Sequence, residues 1–192
     1  MMDDVFVQDK EFSKIDLRQE PLLPGEYEHC EFVGCNFSGV NLAKVSFDKC
    51  IFQNCDLSMI NVAQTAFREV VFKDSKMLGI RFDALTAFAV SFSFDNCILT
   101  HSSFYQTKIK GTRFNNTILQ AVDFTECDLT SAVFHNCDLK DANFDRTILD
   151  KADLTSAQNY SIDPERNKIK KAKFSLPGVL GLLHKYDIKI ES

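Results

Sequence analysis

"HCEFVGCNF" (residues 29–37) and "KCIFQNCDL" (49–57) carry the same cysteine pair twice, twenty residues apart. In each, a large apolar residue follows every cysteine by two: Phe32, Phe37, Phe52 and Leu57. The phase continues through Leu42, Phe47, Val62, Phe67, Phe72, Met77 and Phe82, slips by two residues, and resumes as Phe94, Leu99, Phe104 and onward to Leu154. A period of five matches neither the 3.6 of a helix nor the 2.0 of a strand. It describes a chain that turns a corner every five residues, with two side chains pointing in and three out. A fixed internal repeat of this kind defines the architecture before any local propensity does.

The large residue is the centre of each pentad, and the residue two before it is the second inward position. That second column reads Cys30, Cys35, Val40, Val45, Cys50, Cys55, Ile60, Thr65, Val70, Ser75 and Ile80, then, past Phe92 at the slip, Cys97, Ser102, Thr107, Thr112, Thr117, Val122, Cys127, Ala132, Cys137, Ala142, Thr147 and Ala152. All seven cysteines fall in it, so cysteine serves here as a small, weakly polar core residue. Four corners make a twenty-residue coil, which stacks Cys30 over Cys50 and Cys35 over Cys55 at about 4.8 Å, inside disulfide range. Parallel side chains in a ladder do not point at one another, however. The odd count and the acidic start "MMDDVFVQDKEF", unlike a signal sequence, indicate a reducing, cytoplasmic setting. Zinc needs ligands converging on a point, whereas a column supplies a line. No metal and no cofactor are expected.

The motifs "CDLTS" (127–131), "CDLKD" (137–141), "ANFDR" (142–146) and "ADLTS" (152–156) resemble the pentapeptide-repeat family. That resemblance implies an all-β fold, a right-handed quadrilateral β-helix, here a solenoid of about seven to eight coils. A second resemblance lies in "NYSIDPERNKI" (159–169) and "KAKFSLPGVLGLLHKYDIKI" (171–190), with "DLSMINVAQTAF" (56–67) and "KMLGI" (76–80). These are similar to the subgroup that contains the Qnr quinolone-resistance proteins and the albicidin and microcin immunity proteins. The resemblance implies a DNA mimic that binds DNA gyrase or topoisomerase IV and acts as a homodimer joined through a C-terminal helix.

The chain of 192 residues is expected to form one rod: a β-helix over 1–174 with an N-terminal cap, and a C-terminal element over 175–192. Phenylalanine fills the column. Thirteen of the 18 phenylalanines are centres, and Phe32, Phe52, Phe72, Phe94, Phe114 and Phe134 share one face, continued by Leu154 and Phe174. Two interruptions are expected. "LRQEPLLPGEYE" (17–28), with two prolines, reads as an irregular cap before the regular coils begin. "DALTAFAVSFSF" (83–94) inserts two residues at one corner and is expected to shift Phe88 or Val90 into the core or to protrude as a binding feature. In the tail, Ser175 reads as an N-cap and Pro177 as first-turn residue of a short helix. "DIKIE" (187–191) alternates like a strand. Val179, Leu180, Leu182, Leu183, Tyr186 and Ile188 are too many apolar residues for one narrow stripe, so part is expected to cover the last coil and part to meet a second copy.

The formal net charge is -5, unevenly spread. Residues 1–31 carry nine acids against three bases, and residues 121–153 carry eight acids against Lys140, Arg146 and Lys151. The acids Asp123, Asp128, Asp138, Asp141, Asp145, Asp150 and Asp153 form a candidate partner-binding surface, since a saddle that holds DNA attracts negative charge. By phase they spread over all four faces rather than one stripe, which equally describes a solubilising surface. Direct nucleic-acid binding is not expected, because the "KIKKAK" run (168–173) is short. No catalytic residues are identified: the chain has no G-x-S-x-G, no phosphate-cradling glycine loop and no H-E-x-x-H, and its four histidines are scattered. No apolar run approaches membrane-spanning length. The leading reading is a non-enzymatic protector of a type II topoisomerase. The alternative is an interaction scaffold with another partner, motivated by outward Ile51, Val71 and Val133 on one face and Ile98 and Ile118 on the next.

Overall fold

The computed structural model describes residues 4–86, 90–189 and 191. The chain winds as a parallel β-solenoid with four faces. One face is a nine-stranded sheet: Glu11–Ser13, Glu31–Val33, Ile51–Gln53, Val70–Lys73, Phe92–Asp95, Arg113–Asn115, Val133–His135, Asp153–Leu154 and Lys173–Phe174. All of its pairings are parallel and in register, from Phe12↔Phe32 through Phe114↔Phe134 to Leu154↔Phe174. Eight steps of strand spacing give a rod of about 38 Å. An adjoining face is a four-stranded sheet of Val5–Gln8, Gly25–Glu28, Ser46–Asp48 and Ala66–Arg68, continued above the slip by bridges Lys108↔Asp128↔Ile148↔Lys168. The other two faces are bridges alone, such as Asp16↔Asn36↔Asp56↔Lys76↔Ile98↔Ile118↔Asp138↔Gln158.

The period of five follows from backbone geometry. One residue in each pentad takes positive φ, as at Lys49 (51°), Asn54 (55°), Ala121 (52°) and Asp141 (58°), which turns the chain through a corner. The centres between corners are buried and stacked. Phe32, Phe52, Phe72, Phe94, Phe114 and Phe134 form one continuous ring ladder with successive centroids 4.7, 5.2, 5.4, 5.2 and 5.1 Å apart. A second ladder runs from Phe82 through Phe104 and Phe124 to Phe144. The two meet edge to face, as in Phe114–Phe124 at 6.2 Å and 79°. Both arrangements are favoured by the ring quadrupole.

The cysteine column has a polar task as well as a steric one. Where a face is built from turns, the amide three residues beyond the centre bonds back to the centre carbonyl, as Val40 N does to Phe37 O (2.8 Å). Where the face is a strand, the carbonyl instead pairs in the parallel ladder, and a thiol of the next coil adds a second donor: Cys50 Sγ donates to Tyr27 O (3.2 Å), Cys55 Sγ to Phe32 O (3.3 Å) and Cys137 Sγ to Phe114 O (3.3 Å). Six of the seven cysteines follow a strand centre by three residues; Cys127, which follows a turn, is the exception. Serine and threonine act likewise at Ser75 and Thr147. Buried carbonyls need such partners. All seven thiols are free.

Two expectations need correction. The regular coils do not begin after residue 28, because Val5–Gln8 pairs with Gly25–Glu28 and Phe12 stacks on Phe32 at 4.8 Å. The prolines confine the irregularity to a loop that bulges outward before Gly25, while Leu17 and Tyr27 remain buried. Gly25 permits this junction: at φ 147°, an added Cβ would lie 2.0 Å from Val5 O. The short helix of the tail is of the 3-10 form, in two stretches, Pro177–Leu182 and His184–Tyr186. Gly178 and Gly181 weaken an α-helix, and both lie so close to Tyr160 that a Cβ on either would collide with it. No strand forms among the described residues of 187–191.

The slip inserts two residues, since Phe72 pairs with Phe94 rather than with residue 92. Phe82–Ala84 forms a short 3-10 turn there, Phe92 fills the inward position against Phe82, and Val90 packs partly against the core. Phe88 lies outside the described residues. Among the described residues, no helix is long and apolar enough to cross a membrane.

Candidate functional site

A rod offers its faces and its ends. On the faces, the residue just before each centre points outward, and where it is Asp or Asn it builds the fold. Its Oδ1 accepts the amide two residues on: Asn36 from Ser38 (3.0 Å), Asn41 from Ala43 (3.1 Å), Asp128 from Thr130 (3.1 Å), Asp138 from Lys140 (3.1 Å) and Asp153 from Thr155 (3.1 Å). This side-chain turn explains why the repeat prefers Asp or Asn there.

The candidate acids divide by compensation. Asp128 pairs with Lys110 (3.2 Å), Asp153 with Lys173 (3.4 Å), and Asp145 with Arg166 (2.6 Å) and Arg146 (3.6 Å). Asp123, Asp138, Asp141 and Asp150 have no cation within ion-pair distance among the described residues. Asp123 is held by Thr125 and Asn143, and Asp138 by Gln120 (2.6 Å) and Asn159 (2.8 Å). Hydrogen bonds from Asn159 and Gln120 outweigh the burial of Asp138 and hold its carboxyl below the usual range. Hydrogen bonds from Thr155 do the same for Asp153. These residues are spread over all four faces: Asp123, Asp128, Asp138 and Asp153 belong to four different bridge or strand ladders. Asp141 stands on a left-handed corner, and Asp150 accepts the amide of Lys170 (2.9 Å).

The apolar outward residues also have places. Ile98 and Ile118 are adjacent in one ladder and 39% and 36% exposed, while Ile51, Val71 and Val133 are half-buried on the nine-stranded face. In the tail, Val179, Leu180, Tyr186 and Ile188 are exposed, Leu183 is half-buried, and Leu182 packs against the core. Leu176, at 88% the most exposed large apolar residue, escaped the sequence reading because it sits between an N-cap candidate and a proline. A polar contact also escaped it: Lys185 Nζ lies 2.7 Å from both Asp163 Oδ1 and Glu165 Oε2. No motif marks three residues spaced in this way.

The chemistry of the buried groups is quiet. Burial pushes the thiols of Cys50, Cys55, Cys127 and Cys137 up to about 12 and that of Cys97 to about 11, away from the thiolate that a nucleophile or metal ligand needs. His135 Nδ1 lies 3.3 Å from Ser156 Oγ, but Asn136 Nδ2 lies 3.4 Å from Nε2. If that amide donates, Nδ1 carries the proton, and the histidine is a donor to the serine rather than its base. No cluster of metal-ligating side chains occurs among the described residues.

A β-solenoid with a five-residue repeat defines a class, and the family comparison agrees. The model of the pentapeptide repeat region matches residues 26–93 and 86–154, so the chain belongs to the pentapeptide-repeat family. No curated protein matches it. Among solved structures it is similar to full-length QnrB1, a plasmid-mediated fluoroquinolone resistance protein, with TM-score 0.59 at 14% identity over 96% of this chain and 100% of that one. It is also similar to HetL, a pentapeptide repeat protein involved in heterocyst differentiation regulation in the cyanobacterium Nostoc, with TM-score 0.50 at 14% identity over 90% and 87% of the two chains. At these identities the likeness is one of fold.

Proposed function

We propose that this chain is a non-enzymatic cytoplasmic protein that binds DNA gyrase or topoisomerase IV in place of duplex DNA and protects it from a topoisomerase poison of the quinolone or albicidin type. The observation that carries the reading is the set of uncompensated carboxylates Asp123, Asp138, Asp141 and Asp150 on a narrow rod, three of them, Asp123, Asp138 and Asp150, held by hydrogen bonds. A basic DNA saddle is drawn to such a charge array through its summed field. The resemblance of the tail and the fold shared with QnrB1 support the same target. In this reading two copies join through the exposed apolar tail residues Val179, Leu180, Tyr186 and Ile188, together with Leu176, and direct binding to nucleic acid plays no part.

The side-chain turns supply a clean test. Asn makes the same turn as Asp, as Asn36 and Asn41 do, so Asp→Asn changes remove charge and keep the acceptor. Supercoiling and drug-stabilised cleavage by gyrase, titrated with the protein and a fluoroquinolone, are expected to show rescue by the wild type. The D123N/D138N/D141N/D150N variant is expected to lose it, and D128N/D153N, whose charges are already paired, to retain most of it. Absence of rescue by the wild type at tens of micromolar overturns the proposal.

A second reading, an interaction scaffold, is favoured by the adjacent exposed Ile98 and Ile118 and by the regulatory role named for HetL on the same fold. It expects Ile98→Asp with Ile118→Asp to abolish recovery of a partner from a pull-down in which gyrase is absent.

A further inference from the structure

The tail is built inside out. Its apolar side chains Leu176, Val179, Leu180, Tyr186 and Ile188 face solvent, whereas its grip on the rod is largely polar. Among the described residues, one backbone hydrogen bond beyond the strand ladder joins it to the rod, Ile162 N–H to Gly181 O (3.0 Å), and its remaining backbone bonds are local. Leu182 is its one apolar residue packed on the core. The strongest tie is Lys185, whose ammonium bridges Asp163 and Glu165 at 2.7 Å each with 23% of its side chain exposed, while Tyr186 Oη donates to Glu165 Oε1 (3.1 Å). Opposing this tie is a defect. The tail backbone at Gly178 and Gly181 lies on Tyr160, whose hydroxyl is buried with no hydrogen-bond partner. Opening the tail would hydrate that hydroxyl, so closure leaves a cost that opening relieves.

We propose that residues 175–189 form a flap whose closure is set by the Lys185 clasp against the unpaired Tyr160 hydroxyl, and that the flap governs presentation of the tail's apolar surface. The last clause rests on the tail-to-tail dimer described above; the flap itself does not. The charged and titratable groups around the clasp are Asp163, Glu165, His184, Tyr186, Tyr160 and Arg166, which pairs with Asp145 (2.6 Å) and whose charge also acts on Asp163. The hydrogen bond from Lys185 holds both carboxyls below their ordinary range. Their contribution to closure is therefore present above the usual carboxylate range and is lost as pH falls through the lowered values. Salt screens the same pairs.

Hydrogen exchange followed by mass spectrometry on the full chain tests the balance from both sides. Lys185→Gln is expected to raise exchange of the Ile162 amide, whose acceptor Gly181 O leaves with the flap, about fivefold, with the amides of the coils over 30–150 unchanged as an internal control of folding. Lys185→Arg is expected to restore protection, and 1 M NaCl to reproduce the glutamine variant in the wild type. Tyr160→Phe, which removes the unpaired hydroxyl, is expected to lower exchange of the Ile162 amide below wild type. Unchanged exchange in Lys185→Gln, or raised exchange in Tyr160→Phe, overturns the flap. Sedimentation of the wild type and of Leu180→Asp reports the dimer separately: a monomeric wild type ends the dimer reading and with it the presentation clause, while the exchange data still decide the flap.

Discussion

At the scale of single residues, the repeat places two unusual demands on the chain. The first falls on the thiols. Burial raises those of Cys50, Cys55, Cys127 and Cys137 to about 12 from the ordinary thiol value of 9.0. A group that stays protonated when folded and ionises when unfolded favours folding at neutral pH, and its contribution falls as pH rises past about 9. Urea midpoints are therefore expected to drop between pH 8 and pH 10, and a thiol reagent at pH 8 to label these positions only as fast as the chain unfolds. Cys137→Ser, which keeps the second donor to Phe114 O, is expected to be tolerated better than Cys137→Val, which leaves that carbonyl with its ladder amide alone, by about 0.5–1.5 kcal/mol. The second demand is the left-handed corner. Ala121 sits at φ 52°, a conformation that costs an L-residue about 1–2 kcal/mol. Part of that gain is offset by the freer unfolded chain, so Ala121→Gly is expected to stabilise by about 0.5–1 kcal/mol in thermal or chemical unfolding.

At the scale of the elements, the phenylalanine ladder carries the core. Phe114 is stacked at 5.2 Å on Phe94 and at 5.1 Å on Phe134 and is met edge-on by Phe104 and Phe124. Phe114→Ala should cost about 3–5 kcal/mol, since the rigid coils above and below cannot collapse into the space. Phe174, half-buried at the last strand, is expected to cost clearly less on the same change; equal losses would mean the coils relax. This element was legible because one ring every twenty residues is a signal no other periodicity produces. The elements that escaped are those whose determinants lie outside the pentad. The first coil was hidden because Val7, Phe12 and Leu17 keep the phase but a proline loop then separates them from Tyr27. The tail carries an N-cap signal that holds locally, as Gly178 N–H bonds Ser175 Oγ (3.1 Å). Its glycines, which the close approach to Tyr160 requires, prevent the α-helix that the cap announces. The candidate acids were legible as charges but not as turn-builders, because the acceptor role of Oδ1 depends on a backbone conformation that composition does not reveal.

At the scale of the whole molecule, charge and shape act together. The uncompensated acids Asp123 and Asp138 lie on two different faces, with Asp141 and Asp150 at or beside corners, so no single face carries the contact alone, and binding to a basic saddle should be strongly salt-dependent. The affinity for gyrase is expected to fall steeply as ionic strength rises, measured by interferometry from low to physiological salt; a salt-independent affinity would instead favour the apolar stripe at Ile98 and Ile118. Solenoids distribute stability over neighbouring coils, so a substitution on one face leaves distant coils intact, which makes charge-removal variants informative about binding rather than folding.

The two-residue slip gives the rod a mechanical signature. Pulled from its ends, a chain of this kind peels one coil at a time, and each coil of twenty residues releases about 70 Å of contour length. The coil closed by Phe72 and Phe94 contains two residues more and would release about 7 Å extra. Force-extension traces should thus be an even staircase with one long tread, and the position of that tread would show from which end the rod gives way.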